Sequence, residues 1–432
     1  MVNALFDRCL AFLQRRNVEA YVVGGTVRDR LLGRAITDLD LAVPRDALKV
    51  SRELADELGG AFYTLDVERE TGRVVLPDHT VVDVARLRGA TIVDDLAVRD
   101  FTINAMALRA TALESLIDPF QGARDLQSHT LRAIADQSFV LDPVRLLRAL
   151  RQSHELDFQI ETLTNSRMQR DRELLALVSG ERVRDELVKM LQAPHGTRLI
   201  GRLAEFDYLR LVLPHAQWSL PIQEAADQVH EFTSRLCANS VSATVHNAFL
   251  NPDHTHVLAD YVGQPLADAR TRGTLLPLAA LYAAEGDVEA DLRRLKYSRH
   301  EIEFVRALVR RRESFSPLAL PITPLEAHRF FRDADGVGLG VICLALSPAV
   351  TGTGRSEMVE RATQLLEYYI RRAELLEARP LLDGAEIAER FQLRGPQIGA
   401  AVRALVEAQV QGLVTSRESA EQFLRSMLEP HA

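Results

Sequence analysis

Asp38 and Asp40 stand two residues apart in the apolar run Thr37-Asp-Leu-Asp-Leu-Ala-Val43. Strand side chains alternate faces, so both carboxylates project to one side while Leu39, Leu41 and Val43 go to the other. Two like charges so placed repel, and a divalent cation between them relieves the repulsion. Magnesium suits such a place because it takes carboxylate oxygens together with substrate phosphates. Just upstream, Ala20-Tyr-Val-Val-Gly-Gly-Thr-Val-Arg-Asp29 reads as a short strand, a Gly24-Gly25 turn and a helix start bearing Arg28. The turn lets backbone amides approach a phosphate, and a helix start offers free N–H groups. A phosphate cradle beside paired carboxylates predicts phosphoryl or nucleotidyl transfer.

Further candidates follow along the chain. Asp83, in the strand-like run Thr80–Arg88, either completes a metal site with Asp38 and Asp40 or is a solvent-facing carboxylate. Arg99, Asp100 and Asn104 recur at spacings that put them on one helix face, where they suit phosphate and ribose hydroxyls or form a surface ion pair with a cap. Asp142 precedes Pro143 and is expected to N-cap the helix that follows. Arg145, Arg148 and Arg151 step by three and make a basic stripe, for triphosphate, base edges or RNA backbone, or else a solvated face. Arg182 and Arg184 lie on a mixed-charge amphipathic helix and are further RNA-contact candidates.

These residues need elements to hold them. Strands are expected at 20–24, 37–43, 61–65, 73–77 and 80–85, with a helix from Arg45 to Leu58 ended by Gly59-Gly60. From about residue 135 helical periodicity dominates. At 432 residues with 47% apolar content, a multidomain globular protein is expected. Neither a membrane span nor a signal peptide is evident, and Cys9, Cys237 and Cys343 suggest neither disulfides nor zinc, so the cytoplasm is the expected setting. The net charge of −8 leaves RNA binding to local clusters of cations.

In this order, Gly24-Gly25-Thr26-Val27-Arg28-Asp29, Asp38-Leu39-Asp40, Arg99-Asp100-Phe101-Thr102-Ile103-Asn104-Ala105, Asp118-Pro119-Phe120-Gln121-Gly122 and Asp142-Pro143-Val144-Arg145 closely resemble the bacterial-type (class II) tRNA nucleotidyltransferases and poly(A) polymerases. The resemblance implies an α+β fold: a small mixed-sheet nucleotidyltransferase head (1–134), then an all-helical neck (135–205), body (206–320) and tail (321–432). It implies that Asp38 and Asp40 hold two magnesium ions. Gly24, Gly25 and Arg28 would seat the phosphates, Arg99, Asp100 and Asn104 would contact ribose and triphosphate, and Asp142 and Arg145 would read the incoming base. The implied reaction adds CMP, AMP or both, from CTP and ATP, to an RNA 3′ end, foremost that of tRNA. Poly(A)-type tailing and a catalytically quiet RNA-binding protein are the alternatives. Four departures from the family pattern stand out. Leu141 replaces an acidic residue, Val98 replaces an arginine, and only five residues link Arg88 to Asp94. That short link suggests partial addition or a differently built switch. Ala283-Ala284 stands where an HD-type body keeps its His-Asp dyad, and His254 and His256 nearby read as surface residues.

Overall fold

The computed structural model describes residues 2–36, 38–237, 250–267, 270–334, 336–350, 356–371 and 379–428. By internal contacts the chain divides into two compact units: residues 1–186 with 206–211, and residues 187–205 with 212–432.

The first unit is built on a seven-stranded sheet. Its strands are β1 (Tyr21–Val23), β2 (Asp38–Val43), β3 (Ala61–Asp66), β4 (Thr71–Val75), β5 (Val81–Arg86), β6 (Ala107–Arg109) and β7 (Ala112–Ile117), in the order β3-β4-β5-β2-β1-β6-β7. The pairing of β2 with β5 is parallel and every other pairing is antiparallel. Alternation then sorts the side chains. Leu39 and Leu41 lie in register with Val82 and Val84, all four buried, while Asp40 lies in register with Asp83 on the opposite face.

Helices pack on both faces, and others follow the sheet in the chain. In chain order they are α1 (Val2–Arg15), α2 (Gly25–Leu31), α3 (Ala47–Leu58), α4 (Ile92–Ala97), α5 (Gly122–Gln127), α6 (Ser138–Leu141), α7 (Arg145–Leu156), α8 (Thr162–Arg170) and α9 (Gly180–Gln192). The apolar stripe of α3, including Val50, Leu54 and Leu58, packs on β3, β4 and β5. Gly59 ends it in the left-handed conformation (φ 71°), which a glycine adopts without Cβ strain. Over the carboxylate face, Ile92 and Leu96 of α4 join Tyr21, Val23, Ala42 and Ala107 in a second core cluster.

Two expectations change here. Residues 94–107 are not one helix: α4 stops at Ala97, a 3-10 turn spans Thr102–Asn104, and β6 begins at Ala107. The fully buried Phe101 and Ile103 anchor that turn in the core. The chain beyond residue 135 is also not wholly helical, since Gln159–Ile160 pairs with Thr130–Leu131, and Pro265–Ala267 with Arg270–Thr271. The second unit is otherwise helical, from Thr197–Glu205 to a final cluster formed by Gly384–Phe391, Pro396–Val410 and Arg417–Leu428. His254 is buried rather than exposed: Asn251 caps its helix by accepting from the His254 amide, which turns the ring inward. His256 is exposed. No described helix is long and apolar enough to cross a membrane.

The contact between α3 and the sheet needs a missing side chain. A Cβ added at Gly72 would lie 2.7 Å from the Ser51 Cβ. Gly72→Ala is expected to cost about 1–3 kcal/mol through overpacking, read from the urea midpoint.

Candidate active site

Asp38, Asp40 and Asp83 emerge from β2 and β5 on the face opposite α3. Thr26, in the first turn of α2, fixes the edge of this cluster by accepting from the Asp40 amide at 2.9 Å and donating to the Asp38 carbonyl at 3.1 Å. Burial pushes the Asp40 carboxyl up to about 6, with Asp83 and Asp38 adding to the rise and Arg99 and Arg28 opposing it. A carboxylate so crowded with like charge is one that a divalent cation stabilises in its ionised form. The donor set of Asp38 and Asp40 therefore fits magnesium. Asp83 does not complete a triad. Arg73 donates to both of its oxygens at 2.8 Å, and no three-residue cluster able to hold a metal occurs among the described residues.

Gly24 links this cluster to the rest of the site. It adopts φ 66°, and a Cβ there would lie 3.0 Å from the Arg99 Nη1 and 3.3 Å from the Asp40 Oδ2. Only a glycine lets the turn come this close. Arg28 pairs with Asp29 through two hydrogen bonds of 2.9 Å and donates to the Asn104 Oδ1 at 3.0 Å. Asn104 donates in turn to Asp100 and Gln152, both at 2.9 Å. Asp100 accepts from the Phe101 amide at 2.9 Å and from Arg148 at 2.7 and 2.9 Å. The expected contact of Asp100 with Asn104 thus occurs, across a 3-10 turn rather than on a helix face. Arg99 turns away from both, to Asp95 at 2.8 Å.

The basic stripe of α7 is not a solvated face. Arg148 and Arg151 converge on the buried Glu186 of α9, at 3.4 and 2.8 Å, and Arg151 also pairs with Glu155. Arg145 is buried and donates to the carbonyls of Val98 at 2.6 Å and Arg99 at 3.0 Å. Asp142 is not the N-cap of α7, which begins at Arg145 behind Val144. Its Oδ2 instead accepts from Arg182 at 2.9 Å and lies 3.9 Å from the Arg145 Nε. Its Oδ1 is buried without a hydrogen-bond partner. The side chains of Asp142 and Arg145 therefore stand together. Arg184 pairs with its neighbour Asp185 at 2.9 Å.

Four supporting residues escaped the sequence reading: Thr26, Asp95, Gln152 and Glu186. Buried Asp95 accepts from Arg99 and from the Arg88 amide at 3.1 Å, closing the short link after β5. A capping box between Thr91 and Asp94 stiffens the same link. An acidic residue among arginines was the visible signal for Glu186. Nothing local marked Thr26 or Gln152.

Burial alone would raise the Asp100 carboxyl, but Arg148 with Asn104 and the Phe101 amide overrides it and holds it at about 2. A depressed carboxylate contributes stability above its ordinary value near 3.8 and loses it as pH falls towards about 2. Urea midpoints of the native chain are therefore expected to drop between about pH 4 and pH 2, more steeply than those of Asp100→Asn.

Comparison with known proteins assigns these motifs to a family. A family model described as the poly A polymerase head domain matches residues 20–132, and one described as a probable RNA and SrmB-binding site of polymerase A matches residues 157–219. A CC-adding tRNA nucleotidyltransferase of Thermus thermophilus is 30% identical over 425 residues, covering 94% of this chain and 93% of the relative. An A-adding tRNA nucleotidyltransferase of Deinococcus radiodurans is 30% identical over 433 residues, covering 95% and 96%. A CC-adding tRNA nucleotidyltransferase of Geobacter sulfurreducens reaches 40% identity over 205 residues, a match that spans 47% of each chain. Among solved structures, a CCA-adding enzyme in complex with ATP shares the fold, with TM-score 0.71 at 24% identity over 99% of this chain and 96% of that one. The mixed-sheet head with its helical remainder is the α+β architecture expected from the motifs. The chain is a nucleotidyltransferase of the class II tRNA nucleotidyltransferase and poly(A) polymerase family.

Proposed function

We propose that this protein adds CMP to the 3′ ends of tRNA and stops before the terminal A. The observation that carries the CC restriction is the link between β5 and α4. It holds five residues, its backbone is bonded to buried Asp95, and its Thr91–Asp94 capping box leaves no length for a mobile loop. Arg145, held on the carbonyls of Val98 and Arg99, then presents one arrangement beside Asp142. One fixed hydrogen-bonding pair suits one base.

In this reading the backbone of Gly24 and Gly25 seats the triphosphate, with Arg28 and Arg99 neutralising its oxygens. Asp100 and Asn104, immobilised by Arg148 and Gln152, orient the ribose. Asp142 and Arg145 form hydrogen bonds with the edge of the cytosine, the protein itself acting as the template. Asp38 and Asp40 would hold magnesium, which when bound supplies acidification of the RNA 3′-hydroxyl and neutralisation of the triphosphate. The 3′-hydroxyl oxygen bonds to the α-phosphorus in line, the bond to the bridging oxygen breaks, and pyrophosphate leaves. Arg148, Arg151, Arg182 and Arg184 sit in ion pairs, so any contact they make with RNA replaces a carboxylate. We read the chain as head, neck, body and tail in the four segments given above, and three free cysteines fit a cytoplasmic setting.

Sequencing the products made on tRNA ending at the discriminator base tests this. CTP alone is expected to extend it by two residues, and ATP alone by none. A terminal A from CTP plus ATP, or a long ladder from ATP, would refute the CC reading. Asp40→Ala is expected to abolish incorporation while leaving tRNA binding intact. Gly24→Ala forces a side chain into a positive-φ turn at a cost of about 1–3 kcal/mol, and is expected to raise KM for CTP in enzyme that is still folded at the assay temperature.

A further inference from the structure

A cavity of about 520 Å³ opens in the helical unit, and none of the nucleotide-site residues lines it. Its wall includes Tyr261, Arg272, His328, Phe331 and Tyr369. Gly338 and Leu339, the first residues of the helix Gly338–Val350, close one side.

The chemistry of that wall favours an anion. The Arg272 guanidinium lies over the Tyr261 ring, 4.4 Å from its centroid, and 6.0 Å from that of Phe304. No ion pair of Arg272 with a carboxylate is found among the described residues, and its Nε is buried without a hydrogen-bond partner. Tyr261 is 4% exposed, and its hydroxyl also lacks a partner at hydrogen-bond geometry, although the Gly340 amide acts on it. Burial pushes this phenol up, so it keeps its proton and is available as a donor. A buried donor without an acceptor is costly, and a ligand oxygen would supply one. The helix start adds amides with no intrahelical acceptor and the positive end of a dipole. Of the other charges at the rim, Asp260 is exposed beside His256, and Arg332 is tied to Asp333 and Glu407.

A guanidinium fork, a phenol and helix-start amides together exceed what a flat carboxylate can use and match the several oxygens of a tetrahedral anion. The volume falls within the range of small-molecule sites. We propose that this cavity binds the phosphate group of a small phosphorylated molecule, with Arg272 and the Tyr261 hydroxyl as donors and the Phe331 and Tyr369 rings as the wall for its organic part.

Equilibrium dialysis of radiolabelled orthophosphate against the full chain, with no nucleotide present, tests this without any turnover, the cavity being the site that Arg272→Gln weakens. One saturable equivalent is expected, weakened about tenfold or more by Arg272→Gln and several-fold by Tyr261→Phe, which removes a single oxygen and leaves CMP incorporation unchanged. A parallel arm with labelled AMP separates the sources. Tighter binding of AMP assigns a nucleotide to the cavity, and equal binding assigns free phosphate. The proposal is overturned if the native chain binds no phosphate at about 10 mM, or if neither variant changes binding. It is also overturned if tRNA displaces the phosphate and Arg272→Gln weakens tRNA binding equally, which would make the cavity part of an RNA surface.

Discussion

The nucleotide site depends on keeping one buried carboxylate charged. Asp100 lies almost out of water, where an isolated charge is costly. Arg148, the Asn104 amide and the Phe101 backbone together make it a strong acceptor instead. Because Asn104 also receives Arg28 and Arg148 also reaches Glu186, this one charge aligns the helix after the glycine turn, the 3-10 turn and both α7 and α9. A neutral Asp100 would leave Arg148 without its main partner, and the two arginines flanking Glu186 would repel each other. A network satisfied at every member rigidifies; one missing a member destabilises what surrounds it.

The carboxylates proposed to hold a metal are positioned differently. Asp38 and Asp40 are placed by backbone: the pleat of β2, its parallel register with β5, and the Thr26 hydroxyl bridging two main-chain groups. Asp83, by contrast, is given to Arg73. The pair proposed to read the base is held by a third means, with Arg145 clamped on two carbonyls of the turn that follows α4. The proposed phosphate, metal and base contacts would thus rest on glycine geometry, sheet register and a side-chain clamp respectively.

What the sequence disclosed follows from the range of each interaction. The paired aspartates were legible because a strand repeats every two residues, and the end of α3 because Gly59 needs a positive φ. Strands β6 and β7 were not, because Ala107-Leu-Arg-Ala-Thr-Ala-Leu-Glu-Ser-Leu-Ile117 is rich in Ala and Leu, and its strand character comes from pairing beside β1. Asp142 looked like a cap because Asp-Pro often starts helices, but the chain makes one more turn before α7 and the carboxylate goes to Arg182. The arginine stripe showed its spacing but not its fate. Whether three arginines face water or carboxylates was decided by Glu186, which lies 35 residues beyond Arg151.

The same span of sequence sets an order of assembly. Asp40 and Asp83 come into register only once β5 has joined β2, a parallel pairing that must close a long connection. Arg28 and Asn104 then wait on Asp100, and Arg148 on Glu186, near the C-terminal edge of the first unit. As the ribosome releases the chain from its N-terminus, the phosphate turn emerges first and the carboxylate that completes its support emerges last. A nascent chain that has not reached Glu186 carries every residue proposed to seat the phosphates but lacks the carboxylate that Arg148 and Arg151 share. The site is therefore finished late in synthesis, after the segments expected to grip the nucleotide have already left the ribosome.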